Sequence, residues 1–268
     1  MSLTPRHTRL QALALSLLVA CGAAAPEPAA PAAEPAPAAS EPAGEAAPPA
    51  SGAEPSNAEP AGHQHGGGHQ HGAGHGFHKD FSDAKAFSAS FDNPERDLWQ
   101  QPEAVLDLMK IAPSSTVVDL GAGTGYFVPR LSRRVGAQGK VLALDVEPKM
   151  VEFLEKRVQE NKLANVEPRV VATDDPQLTP GSVSRILIVN TWHHIGERPS
   201  YAKKLAAALD ATGEVWIVDF TLEAKKGPPA EYRIPAEQVV RELEQGGLRA
   251  QLVDPEPLPD QYIVQARR

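Results

Sequence analysis

The 268-residue sequence has only one cysteine, Cys21, and after its first twenty positions it has no apolar run long enough to cross a bilayer. A single cysteine excludes an internal disulfide. Acidic residues outnumber basic ones and the formal net charge is -8, so the overall charge does not favour a nucleic-acid backbone as ligand. We therefore expect no nucleic-acid partner.

Residues 22–62 lack aromatic residues, branched aliphatic residues, lysine and arginine, and consist mostly of Ala, Pro, Glu, Ser and Gly. Such a segment buries too little apolar area to offset its ordering entropy. Proline stiffens the chain and glutamate repulsion extends it. We interpret residues 21–62 as a disordered tether, which leaves roughly 190 residues for one compact domain.

The amino terminus begins with a short basic stretch that contains Arg6 and Arg9, followed by an apolar run over residues 10–20. The run is too short for a transmembrane helix and is typical of a signal peptide. It ends in Leu18-Val-Ala-Cys21, which resembles the lipobox of bacterial lipoproteins. The resemblance implies cleavage of residues 1–20, lipidation of Cys21 and a membrane anchor in the bacterial cell envelope. An ordinary secretory signal, or a misplaced start of a cytosolic enzyme, would explain the segment differently.

A histidine- and glycine-rich tract occupies residues 63–78. Its imidazoles could converge on a divalent ion such as zinc, nickel or copper, although a flexible backbone offers no preformed geometry. We predict a weakly bound metal here and no catalytic metal; the alternative is a polar, pH-sensitive linker. The candidate ligands are His63, His65, His69, His71, His75 and His78.

From residue 79 onward, short apolar strands alternate with amphipathic helices, which predicts a mainly parallel sheet covered on both faces. Helices are predicted over 94–110, with a break or kink at Pro102 as the alternative to a continuous helix, and over 126–135, 148–161, 200–209 and 236–245. Strands are predicted over 116–120, 140–145, 166–172, 184–190, 213–220, 248–253 and 261–266, with the last two as an antiparallel hairpin. Pro168 places the third strand at an edge.

A glycine-rich loop, Asp119-Leu-Gly-Ala-Gly-Thr-Gly125, follows the first strand. Its three glycines permit a tight turn close to a ligand. A dinucleotide fingerprint needs glycine three positions after the second glycine, and Tyr126 stands there instead. Asp145 ends the second strand, where a carboxylate can bind two ribose hydroxyls.

These motifs together resemble class I S-adenosylmethionine (SAM)-dependent methyltransferases. The resemblance implies a Rossmann-like, doubly wound α/β fold for residues 79–268, with SAM as the cofactor. It places Asp119 near the cofactor amino group, the loop glycines beneath the methionine part, and an acidic residue after the third strand near adenine. The implied cofactor-binding residues are Asp119, Gly121, Ala122, Gly123, Gly125, Tyr126, Asp145, Val146, Asp174, Asp175 and Asn190.

The fourth strand ends in Asn190-Thr-Trp-His-His194. This loop resembles small-molecule methyltransferases and a bacterial exported group within the family. The likeness extends to the segments 95–100, as part of a lid, and 258–262. His193 or His194 could act as a base towards a hydroxyl, thiol or amine acceptor; alternatively, one histidine packs against Trp192. Trp99, Tyr126 and Trp192 could shield the sulfonium or belong to the core.

Three functional hypotheses follow. The first is a lipid-anchored methyltransferase with a small-molecule acceptor. The second is a non-catalytic anchored protein that keeps the fold and handles metal through the histidine tract. The third, which the glycine spacing disfavours, is a nicotinamide-dependent oxidoreductase.

Overall fold

The computed structural model describes residues 84–253 and 258–268. Cys21, the predicted signal peptide and tether, and the histidine tract of residues 63–78 lie outside the described residues. Predictions about them therefore rest on sequence alone. No helix in the described ranges has the length and apolar character needed to cross a membrane.

A single seven-stranded sheet forms the centre of the described chain, in the order β3-β2-β1-β4-β5-β7-β6. All neighbouring strands pair in parallel except β7, which is antiparallel to both β5 and β6. The strand order reverses between β1 and β4, which is where doubly wound sheets bind ligands. The strands are β1 (Thr116–Leu120), β2 (Lys140–Asp145), β3 (Val166–Val170), β4 (Val183–Val189), β5 (Leu209–Phe220), β6 (Arg249–Val253) and β7 (Gln261–Arg267).

Helices cover both faces of this sheet, and the predicted fold class is confirmed. They are α1 (Ala84–Phe91), α2 (Arg96–Gln100), α3 (Pro102–Met109), α4 (Val128–Val135), α5 (Pro148–Glu160), α6 (Arg198–Ala208) and α7 (Ala236–Gln245). Short 3-10 turns span Trp192–His194 and Ala230–Tyr232.

Alternate side chains of the strands point into two apolar cores. On one face, β-strand residues such as Val118 and Ile186 pack with Leu205 of α6 and Leu243 of α7. On the other face, residues such as Val117 pack against α3 and α4. Because buried parallel strands present apolar residues to both faces, the strands read as continuous Val, Ile and Leu runs.

The helix predicted over residues 94–110 is wrong as a single element. It is broken at Gln101, which adopts a left-handed conformation with φ of 46°. The ring of Pro102 disfavours helical geometry at the preceding residue, so a new helix begins at the proline. The break gives the short helix α2 an orientation separate from that of α3.

The other elements match the prediction with shifted ends. The helix predicted from Tyr126 begins at Val128, and the strand predicted from Gly213 begins at Leu209. Pro168 lies in β3, at one edge of the sheet as predicted. Proline has no N–H to donate to a neighbouring strand. It is therefore tolerated at a sheet edge, where that position can face away from the sheet.

Candidate active site

The glycine-rich loop links β1 to α4 at the carboxyl end of the sheet. Gly121 has φ of +76°, and a Cβ added there would lie 2.3 Å from the Thr191 side chain. Only glycine fits both the conformation and the space. The N–H groups of Gly121 and Ala122 donate to the Leu144 carbonyl at 2.8 and 3.0 Å, which fixes the loop against β2.

Asp145, at the end of β2, braces the same loop. Its carboxylate accepts hydrogen bonds from the Gly123 N–H at 2.8 Å and from the Glu147 N–H at 3.0 Å. Burial raises the pKa of Asp145, and these backbone donors oppose that rise. Val146 follows it with a half-exposed apolar side chain. The arrangement leaves a carboxylate and an apolar surface side by side at the mouth of the site.

Asp119 is the last acidic residue of β1 and is only 3 % exposed. Burial raises the pKa of its carboxyl to about 7; the nearby Arg96 lowers it and Asp145 raises it further. Within the described chain, no hydrogen bond reaches this carboxylate. A buried carboxylate without donors is costly unless a ligand supplies them.

Arg96 of α2 is near enough to Asp119 for its charge to lower the pKa of that carboxyl. Its guanidinium stands 3.9 Å from the centre of the Tyr126 ring, and one terminal nitrogen donates to the Phe91 carbonyl at 2.9 Å. The buried Nε has no hydrogen-bond partner among the residues that the structure describes. Burial lowers the pKa of Arg96 to about 10, so the side chain remains charged at neutral pH. The site thus contains a buried donor without a partner and a buried carboxylate whose pKa this arginine influences.

Helices α1 and α2 are fastened to the elements around the glycine loop. Asp92, just after α1, accepts from the Thr124 hydroxyl at 3.1 Å and from Arg157 of α5 at 2.7 Å. Asp97 of α2 accepts from the Tyr126 hydroxyl and from Arg130, the latter at 2.8 Å. The segment predicted as a lid therefore lies at the loop.

A buried histidine–carboxylate pair joins the ends of β4 and β5. His193 Nδ1 is 2.9 and 3.0 Å from the two carboxylate oxygens of Asp219, and both side chains are about 4 % exposed. The His194 ring lies 4.2 Å from the His193 ring, centre to centre. Sequence reasoning missed Asp219, although its position at the carboxyl end of a predicted strand was a usable signal.

Trp192 belongs to the core. It is fully buried in the α6–α7 cluster, and its Nε1 donates to Glu242 at 2.9 Å. Of the two alternatives predicted for Trp192, a shield for the sulfonium or a core residue, its complete burial in this cluster favours the core residue. Trp99 stacks on Phe220 with ring centres 6.1 Å apart. Tyr126 lies under Arg96, next to the glycine loop.

Asn190 contacts Gln100 and Gln261, which lie in the segments 95–100 and 258–262 but had no individual role in the sequence analysis. Its Oδ1 accepts from Gln261 of β7, and its Nδ2 donates to Gln100 of α2 at 3.3 Å. The residue is left-handed, with φ of 54°, a conformation in which asparagine is enriched. The Thr191–His194 loop therefore follows a residue whose side chain is hydrogen-bonded to both α2 and β7.

The acidic pair after β3 is exposed. The Lys204 ammonium lies 3.2 Å from Asp175, and the Asp174 side chain is 84 % exposed. The Gln177 N–H and then Lys204 lower the pKa of Asp175. A role of either carboxylate near adenine stays a prediction. In residues 84–253 and 258–268 no three His, Cys, Asp or Glu side chains are grouped so as to hold a metal ion.

Comparison with known proteins gives this site a chemical identity. Residues 117–213 match the model of a methyltransferase domain family. A SAM-dependent methyltransferase from Aquifex aeolicus superposes with a TM-score of 0.64 at 30 % identity, covering 70 % of this chain and 98 % of that one. Geranyl diphosphate C-methyltransferase from Streptomyces coelicolor shares the fold at 17 % identity and a TM-score of 0.53, over 63 % of this chain and 78 % of its own.

Among characterised sequences, the arsenite methyltransferase of Halobacterium salinarum is 37 % identical over 60 residues. This match spans 22 % of this chain and 15 % of that protein. The chain belongs to the SAM-dependent methyltransferases and is a SAM-dependent enzyme.

Proposed function

We propose that the chain transfers the methyl group of SAM to a small molecule with an ionisable hydroxyl, thiol or amine, and that His193 is the base. The observation that carries the proposal is the buried pair formed by His193 and Asp219 at the carboxyl ends of β4 and β5. His193 lies on the loop that also packs Thr191 against the glycine turn.

The described residues fit the cofactor at three points. Asp145 offers a carboxylate for ribose hydroxyls. Asp119 offers an acceptor without donors to the amino group of the methionine part. The unpartnered Nε of Arg96 offers a donor to its carboxylate. When bound, SAM supplies a methyl group activated on a sulfonium.

Asp219 prepares His193 for proton transfer. An Nδ1–H donated to the carboxylate leaves Nε2 as the acceptor nitrogen of a neutral imidazole. The proton of the methyl acceptor passes to Nε2 of His193. The lone pair that this leaves on the acceptor atom is then available for methylation. The ionised Asp219 then stabilises the imidazolium that forms. Helices α1 and α2 limit access of water from the cofactor side.

The sequence disfavours arsenite as the acceptor. Arsenic(III) is soft and thiophilic, and soft ions are held by thiolates. The chain has one cysteine, Cys21, which lies about a hundred residues before the glycine loop. We therefore propose an organic acceptor.

Variants of the pair test the role of His193. Asp219→Asn should lower kcat with an identified acceptor by roughly 10²- to 10⁴-fold, and leave the affinity for SAM within about twofold of the wild type. The acceptor is first found by incubating the protein with methyl-labelled SAM and fractionated small-molecule extracts. Asp210→Asn, at a partly buried aspartate near the other end of the same strand, whose side chain bonds to Thr212, is the matched control.

His193→Gln and His194→Gln separate the two candidate bases. Only the first should reproduce the loss caused by Asp219→Asn, because His193 holds its Nδ1 against both oxygens of that carboxylate. Equal losses in both variants, or full activity of Asp219→Asn, would contradict the assignment of the base.

We also propose that the enzyme is a lipoprotein of the bacterial envelope, on the strength of the Leu18–Cys21 motif and the Pro-rich residues that follow it. Expressed in a bacterium, the full chain should partition into detergent and Cys21→Ser into the aqueous phase. Equal partitioning of the two proteins would remove the anchor from the proposal.

A further inference from the structure

Three side-chain amides form a closed ring between the helix α2, the end of β4 and the start of β7. Gln100 Nε2 donates to Gln261 Oε1 at 2.6 Å, Gln261 Nε2 donates to Asn190 Oδ1, and Asn190 Nδ2 donates to Gln100 Oε1 at 3.3 Å. Gln100 and Gln261 are at most 1 % exposed. Each amide thus gives one hydrogen bond and receives one within a site closed to water.

Arg96 fixes the direction in which the ring runs. Its terminal nitrogen approaches Gln100 Oε1 at 3.3 Å, and a guanidinium can only donate. Gln100 must therefore turn its oxygen towards Arg96 and Asn190, and its NH2 towards Gln261. The orientations of the other two amides follow from that, so one charged side chain selects one of two otherwise equivalent arrangements.

The ring touches both halves of the candidate site. Through Gln100 it holds the guanidinium of Arg96, whose buried Nε has no hydrogen-bond partner among the described residues. Through Asn190 it holds the loop that packs Thr191 on Gly121 and carries His193. Gln261 contacts neither group itself, yet it completes both connections.

We propose that Gln261 is a positioning residue: through the amide ring it orients Arg96 and Asn190 for the amino-acid end of the cofactor. The inference rests on the proposed placement of the methionine carboxylate at Arg96. Loss of Gln261 leaves Asn190 Oδ1 without its donor and Gln100 Nε2 without its acceptor, so both amides can rotate and Gln100 Oε1 can turn away from Arg96. The ribose carboxylate of Asp145 is held by backbone N–H groups and does not depend on the ring.

Two ligands separate positioning from general damage. S-adenosylhomocysteine contains the amino-acid end, whereas 5′-methylthioadenosine keeps adenine, ribose and sulfur without it. In calorimetric titration of the full chain, Gln261→Leu should lower the affinity for S-adenosylhomocysteine by about tenfold. This is the effect of about one lost hydrogen bond to a charged group. The affinity for 5′-methylthioadenosine should change less than about twofold, because its contacts lie outside the ring.

Gln265→Leu is the control, since Gln265 lies on the same strand and bonds only to Gln251 and Glu214 at the surface. Gln261→Glu, which preserves the side-chain shape but cannot donate to Asn190 when ionised, repeats the test if the leucine variant unfolds. An equal loss of affinity for both ligands, or no loss for either, would overturn the inference. Failure of the wild type to bind S-adenosylhomocysteine would instead contradict the proposed cofactor site.

Discussion

At the scale of single residues, Asp119 combines a stability cost with a binding role. Its carboxyl has a pKa of about 7 in the folded chain against an ordinary value of 3.8. Between pH 4 and 7 the unfolded chain has released this proton while the folded chain still holds it. This group therefore lowers stability as pH rises through that window, and the full cost remains above pH 7.

Asp119→Asn should remove that cost. The variant is expected to unfold at a higher temperature than the wild type at pH 8, with a gain of a few kcal/mol and at most about 4 kcal/mol. The gain should shrink as pH falls and vanish below about pH 4. Thermal unfolding at pH 4, 6 and 8 measures it, with Asp210→Asn as a control that should show no such pH-dependent gain over the wild type. A gain independent of pH would contradict the assignment to Asp119.

Sequence reasoning located the acids at strand ends but not their partners. Asp119 and Asp145 could be predicted because parallel strands bring their carboxyl ends to one edge. Asp219 lies at an equivalent strand end, but no motif drew attention to it. Arg96 and Gln261 could not be assigned roles, because their contacts with the site join segments up to 161 residues apart. Only the folded chain brings α2 and β7 together.

At the scale of elements, two glycines of the same turn, Gly121 and Gly123, tolerate a side chain to different degrees. Gly121 and Gly123 both have positive φ, of 76° and 53°. A Cβ at Gly123 would meet only the Phe91 ring, at 3.7 Å, which is ordinary contact. A Cβ at Gly121 would overlap Thr191. Backbone strain is thus common to both positions, and steric overlap is specific to one.

Gly123→Ala should therefore cost about 1–2 kcal/mol of folding free energy through backbone strain alone. Gly121→Ala should cost about 3 kcal/mol or more, because overpacking adds to the strain. Urea unfolding of both variants measures the difference. Thr191→Ala removes the Oγ1 and Cγ2 contacts, so the double variant Gly121→Ala/Thr191→Ala should recover about 1 kcal/mol relative to additivity. Additive losses would show that Thr191 is not the obstacle.

The break between α2 and α3 is another element-scale feature that the sequence indicated only in part. Hydrophobic periodicity continued across Pro102, which favoured one helix. The proline decided the outcome through its effect on Gln101, and the short helix α2 was left to dock on Tyr126 and Arg130 through Asp97. Local sterics at one peptide thus place the arginine that lies in the site.

At the scale of the whole molecule, the order of strands and helices could be predicted from the sequence. The cofactor side of the site could be predicted more fully than the proposed acceptor side. Alternating apolar runs predicted the doubly wound sheet, and the reversal of strand order between β1 and β4 places the cofactor loop. The proposed acceptor side combines His193, a base predicted from the loop after β4, with Asp219 of β5, which no motif in the sequence indicated. Its chemistry appears only in contacts such as His193 with Asp219.

Binding of SAM should stabilise the whole fold by mass action. At a ligand concentration of about 100 times Kd, a single site adds about 2.7 kcal/mol. For a domain of this size, that raises the melting temperature by about 5–10 °C. NADH should give no shift, because Tyr126 stands where a dinucleotide loop needs glycine. The double variant Asp119→Ala/Asp145→Ala should lose the shift with SAM while still melting cooperatively. A shift with NADH, or an undiminished shift in the double variant, would mean that these carboxylates do not hold the cofactor and that the ligand binds elsewhere on the sheet.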